Sequence, residues 1–161
     1  MKVLLLAMLL TAPPSSSTDA SSQGIKVVFA ESIAGVRPGM TRVEVEKAGH
    51  KLASEGINRM HASGAKRTGF YSGPAILFLF DEQEHVVLIS VELKKSSGLE
   101  VGRVRVPSTA SLDDLAKLFL GCTLEKGSGG RALACKDEKG RVLNAYDSYG
   151  GPEVWVHLGP G

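Results

Sequence analysis

Side chains able to act as nucleophile and base are present, but they are scattered along the sequence. The segment 69–73 (GFYSG) approaches the G-x-S-x-G turn of serine hydrolases, but it lacks the strand-to-helix setting that this turn requires. A serine nucleophile also needs a base held by an acid. The histidines, His50, His61, His85 and His157, are widely separated, and none has a carboxylate at a telling spacing. We therefore expect packing or surface roles for the histidines, and a protein that is not an enzyme.

The sequence also contains little that indicates a metal-binding or phosphate-binding site. Zinc needs three or four protein ligands, and the two cysteines have no histidines at a suitable spacing. The segment 127–130 (GSGG) lacks the lysine and the strand-to-helix setting of a phosphate-binding loop. Asp113 and Asp114, near a predicted helix start, are more typical of residues that complement the helix dipole. The sequence thus predicts no metal and no cofactor.

The start of the chain is typical of a secretion signal. Lys2 precedes an apolar run of about eight residues, shorter than the ~20 that cross a bilayer as a helix. We predict residues 1–20 as a cleavable signal peptide, with cleavage after Ala20 favoured over cleavage after Ala12. A buried N-terminal helix is the alternative, which Pro13 and Pro14 disfavour. We expect the remaining part, roughly 140 residues and so the size of one domain, to be periplasmic or extracellular.

Charge and hydropathy exclude two classes of partner. The net charge of +2 at pH 7 is too small to favour nucleic acid. No later stretch is long and apolar enough to span a membrane. The region around the predicted cleavage site contains no cysteine, so a lipid anchor there has no support. We therefore expect no nucleic acid, no stable membrane insertion after signal cleavage, and another extracytoplasmic protein as the partner.

The two cysteines, Cys122 and Cys135, predict a disulfide. An even number of cysteines in an exported chain is typical of paired ones, and closing a loop of about 14 residues stabilises a fold by ~3 kcal/mol. Leu133 and Cys135 share one face of a predicted strand. If that face meets the helix before Cys122, the bridge fixes this helix to the sheet.

A few aromatic side chains are candidates for binding a partner. They flank predicted strands or lie in loops, and tyrosine and tryptophan are good interface anchors. Packing in the core is the alternative for each. If Val154 and Val156 are buried, Trp155 lies on the exposed face of its strand. The candidate residues are Tyr71, Tyr146, Tyr149 and Trp155.

The elements that must position these side chains follow one plan twice. Thr41 and Ser111 each have an acidic residue three positions later, the capping-box spacing at a helix start. We predict the first helix to end at Gly56 and the second at Gly121. A polar loop at residues 58–68 follows the first helix, and a polar linker at residues 94–102 precedes the second unit.

A predicted hairpin follows each helix. The first pairs residues 75–80 with 86–93, and the second pairs residues 132–135 with 141–146. A last strand at residues 154–158 closes the chain. We interpret this recurrence as an internal duplication, with a chance repeat of a common motif as the alternative. The predicted fold class is α+β, with helices packed on an antiparallel sheet that two tandem helix–hairpin units share.

The segment 36–45 (VRPGMTRVEV) resembles the GMT-x-x-x-V motif of the SmpA/OmlA and β-lactamase-inhibitor-protein (BLIP)-like superfamily. The segment 69–75 before a strand, the placing of Cys122 and Cys135, and export are similar to the tandem inhibitor type. The resemblance covers residues 33–158 and implies an α+β domain there, with units 33–93 and 103–158. Before it, the sequence pattern predicts a leader and possible first strand at residues 21–32. The resemblance also implies protein binding through the sheet face and loops, without catalysis.

Three functional hypotheses remain. The first is a secreted or periplasmic, non-catalytic protein-binding module. The second is an inhibitor or immunity protein against an extracytoplasmic enzyme such as a β-lactamase or cell-wall hydrolase. The third is a small hydrolase with an unrecognised site, which the missing nucleophile–base pair disfavours.

Overall fold

The computed structural model describes residues 24–28, 31–60, 65–119, 121–127, 130–136, 142–148 and 154–159. Strands make up 51% of these residues, which contain two short helices and two sheets. The predicted α+β class, with helices packed on an antiparallel sheet, is therefore wrong, and the protein is mostly β. The physical reason is that the helices end after six and seven residues, while segments predicted as loop and linker form strands. The predicted signal peptide lies outside the described residues.

Helix α1 (Arg42–Lys47) begins at the predicted capping box. The Glu44 backbone N–H donates to Thr41 Oγ1 at 3.3 Å, and the Thr41 N–H donates to the Glu44 carboxylate at 2.8 Å. The predicted continuation to Gly56 is wrong, because Gly49 takes a left-handed φ of 96° directly after the helix. Leu52 then forms an isolated β-bridge with Ser72 instead of a further helical turn.

Helix α2 (Leu112–Leu118) begins at the second predicted capping box. The Asp114 N–H donates to Ser111 Oγ at 3.2 Å, and the Ser111 N–H donates to the Asp114 carboxylate at 3.0 Å. Leu112 and Leu115 form its buried side, and Phe119 at its C-terminal cap is 6% exposed.

The strands occupy most of the remaining described chain. In order they are β1 (Ile25–Val28), β2 (Ser32–Ile33), β3 (Ile57–Met60), β4 (Lys66–Ser72), β5 (Ile76–Phe80), β6 (Val86–Glu92), β7 (Leu99–Val101), β8 (Val104–Val106), β9 (Thr123–Gly127), β10 (Gly130–Lys136), β11 (Val142–Ser148) and β12 (Val154–Gly159).

The larger sheet joins two similar halves. Its order is β3-β4-β5-β6-β12-β11-β10-β9, and all its neighbouring strands are antiparallel. In each half a helix precedes four consecutive strands, and the last strands of the two halves, β6 and β12, pair with each other. Each hairpin predicted from the sequence is therefore part of a four-stranded unit. The prediction misses β3 and the start of β4 because the polar residues 58–68 indicated a loop.

The smaller sheet has the order β2-β1-β7-β8, with β1 and β7 parallel and the other pairs antiparallel. Strand β1 lies in the segment 21–32 that was expected to hold a first strand. The predicted polar linker at residues 94–102 is wrong, because β7 forms there and Leu99 is fully buried.

One cluster of buried side chains connects both sheets and both helices. Complete burial of one valine, leucine, isoleucine or phenylalanine side chain stabilises a fold by about 1.5–3 kcal/mol. Members from nine different elements, each at most 2% exposed, are Val27, Ile33, Val45, Phe78, Ile89, Leu99, Leu115, Leu133 and Leu158.

The predicted disulfide between Cys122 and Cys135 is confirmed, with their Cα atoms 4.3 Å apart. Cys135 lies in β10 and is 1% exposed, as is Leu133 on the same face of that strand. The bridge therefore fixes the segment after α2 to the sheet. Because disulfides persist in oxidising surroundings, it indicates an extracytoplasmic compartment. In the described part of the chain no helix has the length and apolar character needed to cross a membrane.

Candidate binding surface

Successive residues of a strand point to opposite faces of a sheet, so strand pairing assigns side chains of the larger sheet to two faces. One face, the core face, carries Phe78, Ile89 and Leu158, which belong to the buried cluster. We call the opposite face the outer face. One row of directly paired residues on it is Tyr71, Leu77, Ser90, His157, Asn144, Ala134 and Thr123. A second row is Glu92, Trp155, Tyr146, Ala132 and Glu125.

The outer face is closed at its centre and more open towards β9. Ser90 and Glu92, at the junction of the two halves, are each 3% exposed. The rings of Tyr146 and His157 pack edge to face, with their centroids 4.6 Å apart. Residues 123–126 of β9, at the edge of the sheet, are all exposed. A partner approaching this face therefore meets accessible side chains mainly on its flanks.

Ser90 and His157 form a hydrogen bond across the junction of the two halves. Ser90 Oγ lies 3.1 Å from His157 Nε2. This is the distance expected between a serine nucleophile and its base. However, burial lowers the pKa of His157 to about 4, which makes it a weak base at neutral pH, and Ser90 is nearly inaccessible. The pair is suited to joining β6 to β12 rather than to attacking a substrate.

A buried carboxylate lies beside this pair. The Glu92 side chain is 4% exposed, and Lys95 Nζ donates to its Oε2 at 2.7 Å. A buried charge without a partner costs several kcal/mol, roughly 3–5 when one member of a pair is removed. Lys95, which is 55% exposed, therefore keeps Glu92 paired at the centre of the outer face.

Arg131 links α2 to the hairpin of β10 and β11. Its Nε and Nη2 donate to Asp147 Oδ2 at 3.0 and 2.7 Å, and its backbone N–H donates to Asp147 Oδ1 at 2.9 Å. Its Nη1 donates to both carboxylate oxygens of Asp113, at 3.1 and 2.9 Å. Because Asp113 lies in α2 and Asp147 is directly opposite Arg131 in β11, one guanidinium holds the helix and both strands together.

The charges in this network stabilise one another. Burial alone would raise the pKa of Asp147, but hydrogen bonds from the Arg131 backbone and side chain, together with its charge, outweigh burial and lower the pKa. Hydrogen bonds to Asp113 and Asp147 in turn raise the pKa of Arg131. Arg131 and Asp147 therefore stay ionised at neutral pH and hold β10 and β11 together at this end of the sheet.

A pocket of about 320 Å³ lies next to Tyr146 at this end of the sheet. Its lining includes Ala132 and Glu125, which are outer-face neighbours of Tyr146, and the adjacent residues Arg131 and Asp147. A half-buried tyrosine beside a recess of this size is a favourable place for one side chain of a protein partner.

Only two of the four aromatic residues selected from the sequence, Tyr146 and Trp155, occupy neighbouring strand positions, whereas Tyr71 lies four strands away from Tyr146 in the same sheet. Tyr71 and Tyr146 are half-buried on the outer face, in β4 and β11. Trp155 lies in β12, where its backbone is paired in register with Tyr146 on one side and Glu92 on the other. Tyr149 lies outside the described residues.

Sequence reasoning missed the residues that hold this surface together. The alternation of Arg131, Leu133 and Cys135 in β10 places a cation on the face that buries the other two, and such a residue requires a carboxylate partner. The sequence therefore contained a signal for a carboxylate partner of Arg131. The contact between Ser90 and His157 had no such signal, because it depends on the pairing of β6 with β12.

Comparisons with known proteins add no relative. No protein-family model matches the chain, and no curated protein or solved structure matches it. Within the described residues no group of three or more histidine, cysteine, aspartate or glutamate side chains is arranged to hold a metal ion.

Proposed function

We propose that the chain is a secreted or periplasmic, non-catalytic protein-binding module that receives another extracytoplasmic protein on its outer face. The observation that carries the proposal is the composition of this face. It combines half-buried Tyr71 and Tyr146 with the small residues Ala132 and Ala134, on a sheet whose other face is filled by the core.

Tyrosines supply most of the expected binding energy. A tyrosine offers a large, rigid contact area with a polar end, and truncation of such an anchor at an interface typically costs about 2 kcal/mol or more. Ala132, which has a small side chain, lines the 320 Å³ pocket beside Tyr146, so there is room in it for a partner side chain.

Two connections support a rigid surface. The disulfide holds the segment after α2 to β10, and Arg131 holds α2 to β10 and β11. Binding to a surface that is already ordered avoids about 0.5–1.5 kcal/mol for each side chain that would otherwise be immobilised. The burial of Ser90 and the low pKa of His157 favour this non-catalytic role over a hydrolase.

The motif resemblance points in the same direction. The segment 36–45 resembles a superfamily whose members bind proteins, and the disulfide agrees with an extracytoplasmic location. Inhibition of an extracytoplasmic enzyme is the narrower form of the same proposal.

The test compares two variants of the full chain. Tyr146→Ala removes the anchor beside the pocket, and Val43→Ala removes a 56% exposed apolar side chain on α1, away from the outer face. The chain is immobilised, a periplasmic or secreted extract is passed over it, and the captured protein is purified and its affinity measured by calorimetry. We expect Tyr146→Ala to weaken binding at least about tenfold and Val43→Ala to leave it within twofold.

Thermal unfolding of both variants shows whether they remain folded. Equal affinity of Tyr146→Ala and the unchanged chain would contradict the proposed surface. If the captured protein is an enzyme, its activity is assayed with and without the chain, and loss of activity at saturation establishes the inhibitory form.

A further inference from the structure

A second pocket lies between the 3-10 turn Leu93–Lys95, the start of α2 and the Arg131–Asp147 pair. Its volume is about 350 Å³, within the range of ~300–1,000 Å³ that holds small ligands. Arg131 and Asp147 line both this pocket and the one beside Tyr146, so the two pockets are neighbours at this end of the sheet. We call it the Lys94 pocket.

The floor and the rim of the Lys94 pocket differ in chemistry. Ala110, 7% exposed, and Leu112, 1% exposed, supply apolar surface from the start of α2 and the loop before it. Ser108 and Thr109 supply hydroxyl groups, and Lys94 supplies an exposed ammonium group. A ligand for this pocket therefore has an apolar body and a polar end that meets Lys94.

The hydrogen-bonding groups that remain available around the Lys94 pocket indicate which charge the polar end of the ligand should carry. The Asp147 carboxylate already accepts three hydrogen bonds from Arg131, and both oxygens of Asp113 accept from Arg131 Nη1. Both carboxylates near the pocket are therefore already hydrogen-bonded to Arg131. A guanidinium has five N–H donors, so Arg131 still has a donor at Nη2.

Lys94 adds a positive charge that is not neutralised locally. Among the described residues no carboxylate lies within 4 Å of its Nζ, whereas the neighbouring Lys95 is paired with Glu92. The pocket consequently offers donors from Lys94, Arg131 and the two hydroxyl groups, while its carboxylate, that of Asp147, is already bonded to Arg131. This arrangement favours an anion, and a planar carboxylate matches an ammonium and a guanidinium N–H together.

We propose that the Lys94 pocket binds a carboxylate carried on a short apolar group. The source is either a free small organic acid or the carboxyl terminus of a peptide, which present the same chemistry. The proposal is independent of the outer face and of any partner bound there.

The test is an NMR titration of the full chain, followed at the backbone amides of Thr109 and Ala110. The probes are hexanoate, its neutral analogue hexanamide, and the N-acetylated dipeptide Ala-Leu with a free or an amidated carboxyl terminus. Saturable shifts with either carboxylate, at least tenfold weaker binding of its amide, and at least tenfold weaker binding by Lys94→Gln would support the site. Lys117→Gln, which removes a 78% exposed lysine of α2, is the matched control and is expected to stay within twofold.

The outcomes separate the two sources. Binding of hexanoate alone supports a small organic acid, binding of the peptide carboxylate alone supports a chain terminus, and binding of both supports the carboxylate site. The proposal is overturned if neither carboxylate saturates, if the amides bind equally well, or if both lysine variants weaken binding to the same extent. None of these results depends on whether Tyr146→Ala retains its partner.

Discussion

The stability of this protein is expected to fall in mild acid because of His157. Burial at the junction of the two halves lowers the pKa of His157 from 6.5 to about 4. As the pH drops below 6.5, the unfolded chain binds a proton that the folded chain does not, so acidification favours unfolding. The contribution of neutral, buried His157 to the free energy of unfolding is therefore complete above about pH 6.5 and is lost by about pH 4. Between these two pKa values the free energy of unfolding falls by about 3 kcal/mol, and about 2 kcal/mol of this lies between pH 7 and 5.

Urea unfolding at pH 7 and pH 5 measures this effect in the unchanged chain and in His157→Gln. Glutamine keeps a polar group near Ser90 but does not titrate, so we expect the pH dependence of the variant to be smaller by about 2 kcal/mol. Carboxylates with lowered pKa values, such as Asp147, contribute equally to both proteins and cancel in the comparison.

The control is His85→Gln, which replaces a histidine whose side chain is 45% exposed. This variant measures what a change from histidine to glutamine does at an exposed position, which is usually less than about 0.5 kcal/mol. If His157→Gln and the unchanged chain lose the same stability between pH 7 and 5, His157 titrates alike in both states, and the argument from its burial is refuted.

Three further predictions concern stability. The native chain should show no free thiol on titration, and reduction should lower the free energy of unfolding by ~3 kcal/mol, seen as a lower urea midpoint; two free thiols would be incompatible with the disulfide. Thr41→Ala should cost ~1 kcal/mol through loss of the cap of α1, and an unchanged urea midpoint would show that this cap contributes nothing. Gly130→Ala should cost more than ~2 kcal/mol, because its φ is 133° and a Cβ atom would lie 2.1 Å from a carbonyl oxygen of the facing strand. Gly121→Ala, with a φ of 85° but open space, should cost only ~1 kcal/mol in the same assay, and equal losses would argue against the clash.

Features set by neighbouring residues could be predicted from the sequence. Both capping boxes depend on residues three positions apart, and Thr41 and Ser111 begin helices where expected. The pairing of Cys122 with Cys135 followed from there being only two cysteines. The length of α1 could not be read in this way, because the apolar spacing of Val45 and Leu52 also fits a short helix followed by an extended segment.

Features set by distant pairing could not be predicted. Ser90 and His157 are 67 residues apart, and their contact requires β12 to pair with β6 at the centre of the sheet. Alternation predicts which residues share a face, but not which strand lies beside which. The alternation in β6 also gives no sign that Ser90 and Glu92 are each only 3% exposed, since their partners His157 and Lys95 come from β12 and from the turn after β6.

Both ends of α2 are attached to the same strand, which connects the stability of the helix with the proposed binding surfaces. Arg131 and Cys135 are four residues apart on one face of β10, about 13 Å along the strand. Arg131 forms an ion pair with Asp113 in the first turn of α2, and Cys135 forms the disulfide with Cys122 just after the helix ends. A seven-residue helix has little stability of its own, so α2 depends on these two attachments together with the burial of Leu112 and Leu115. Arg131 also lines both pockets, so its replacement is expected to weaken this attachment and to change the surface of both pockets at once.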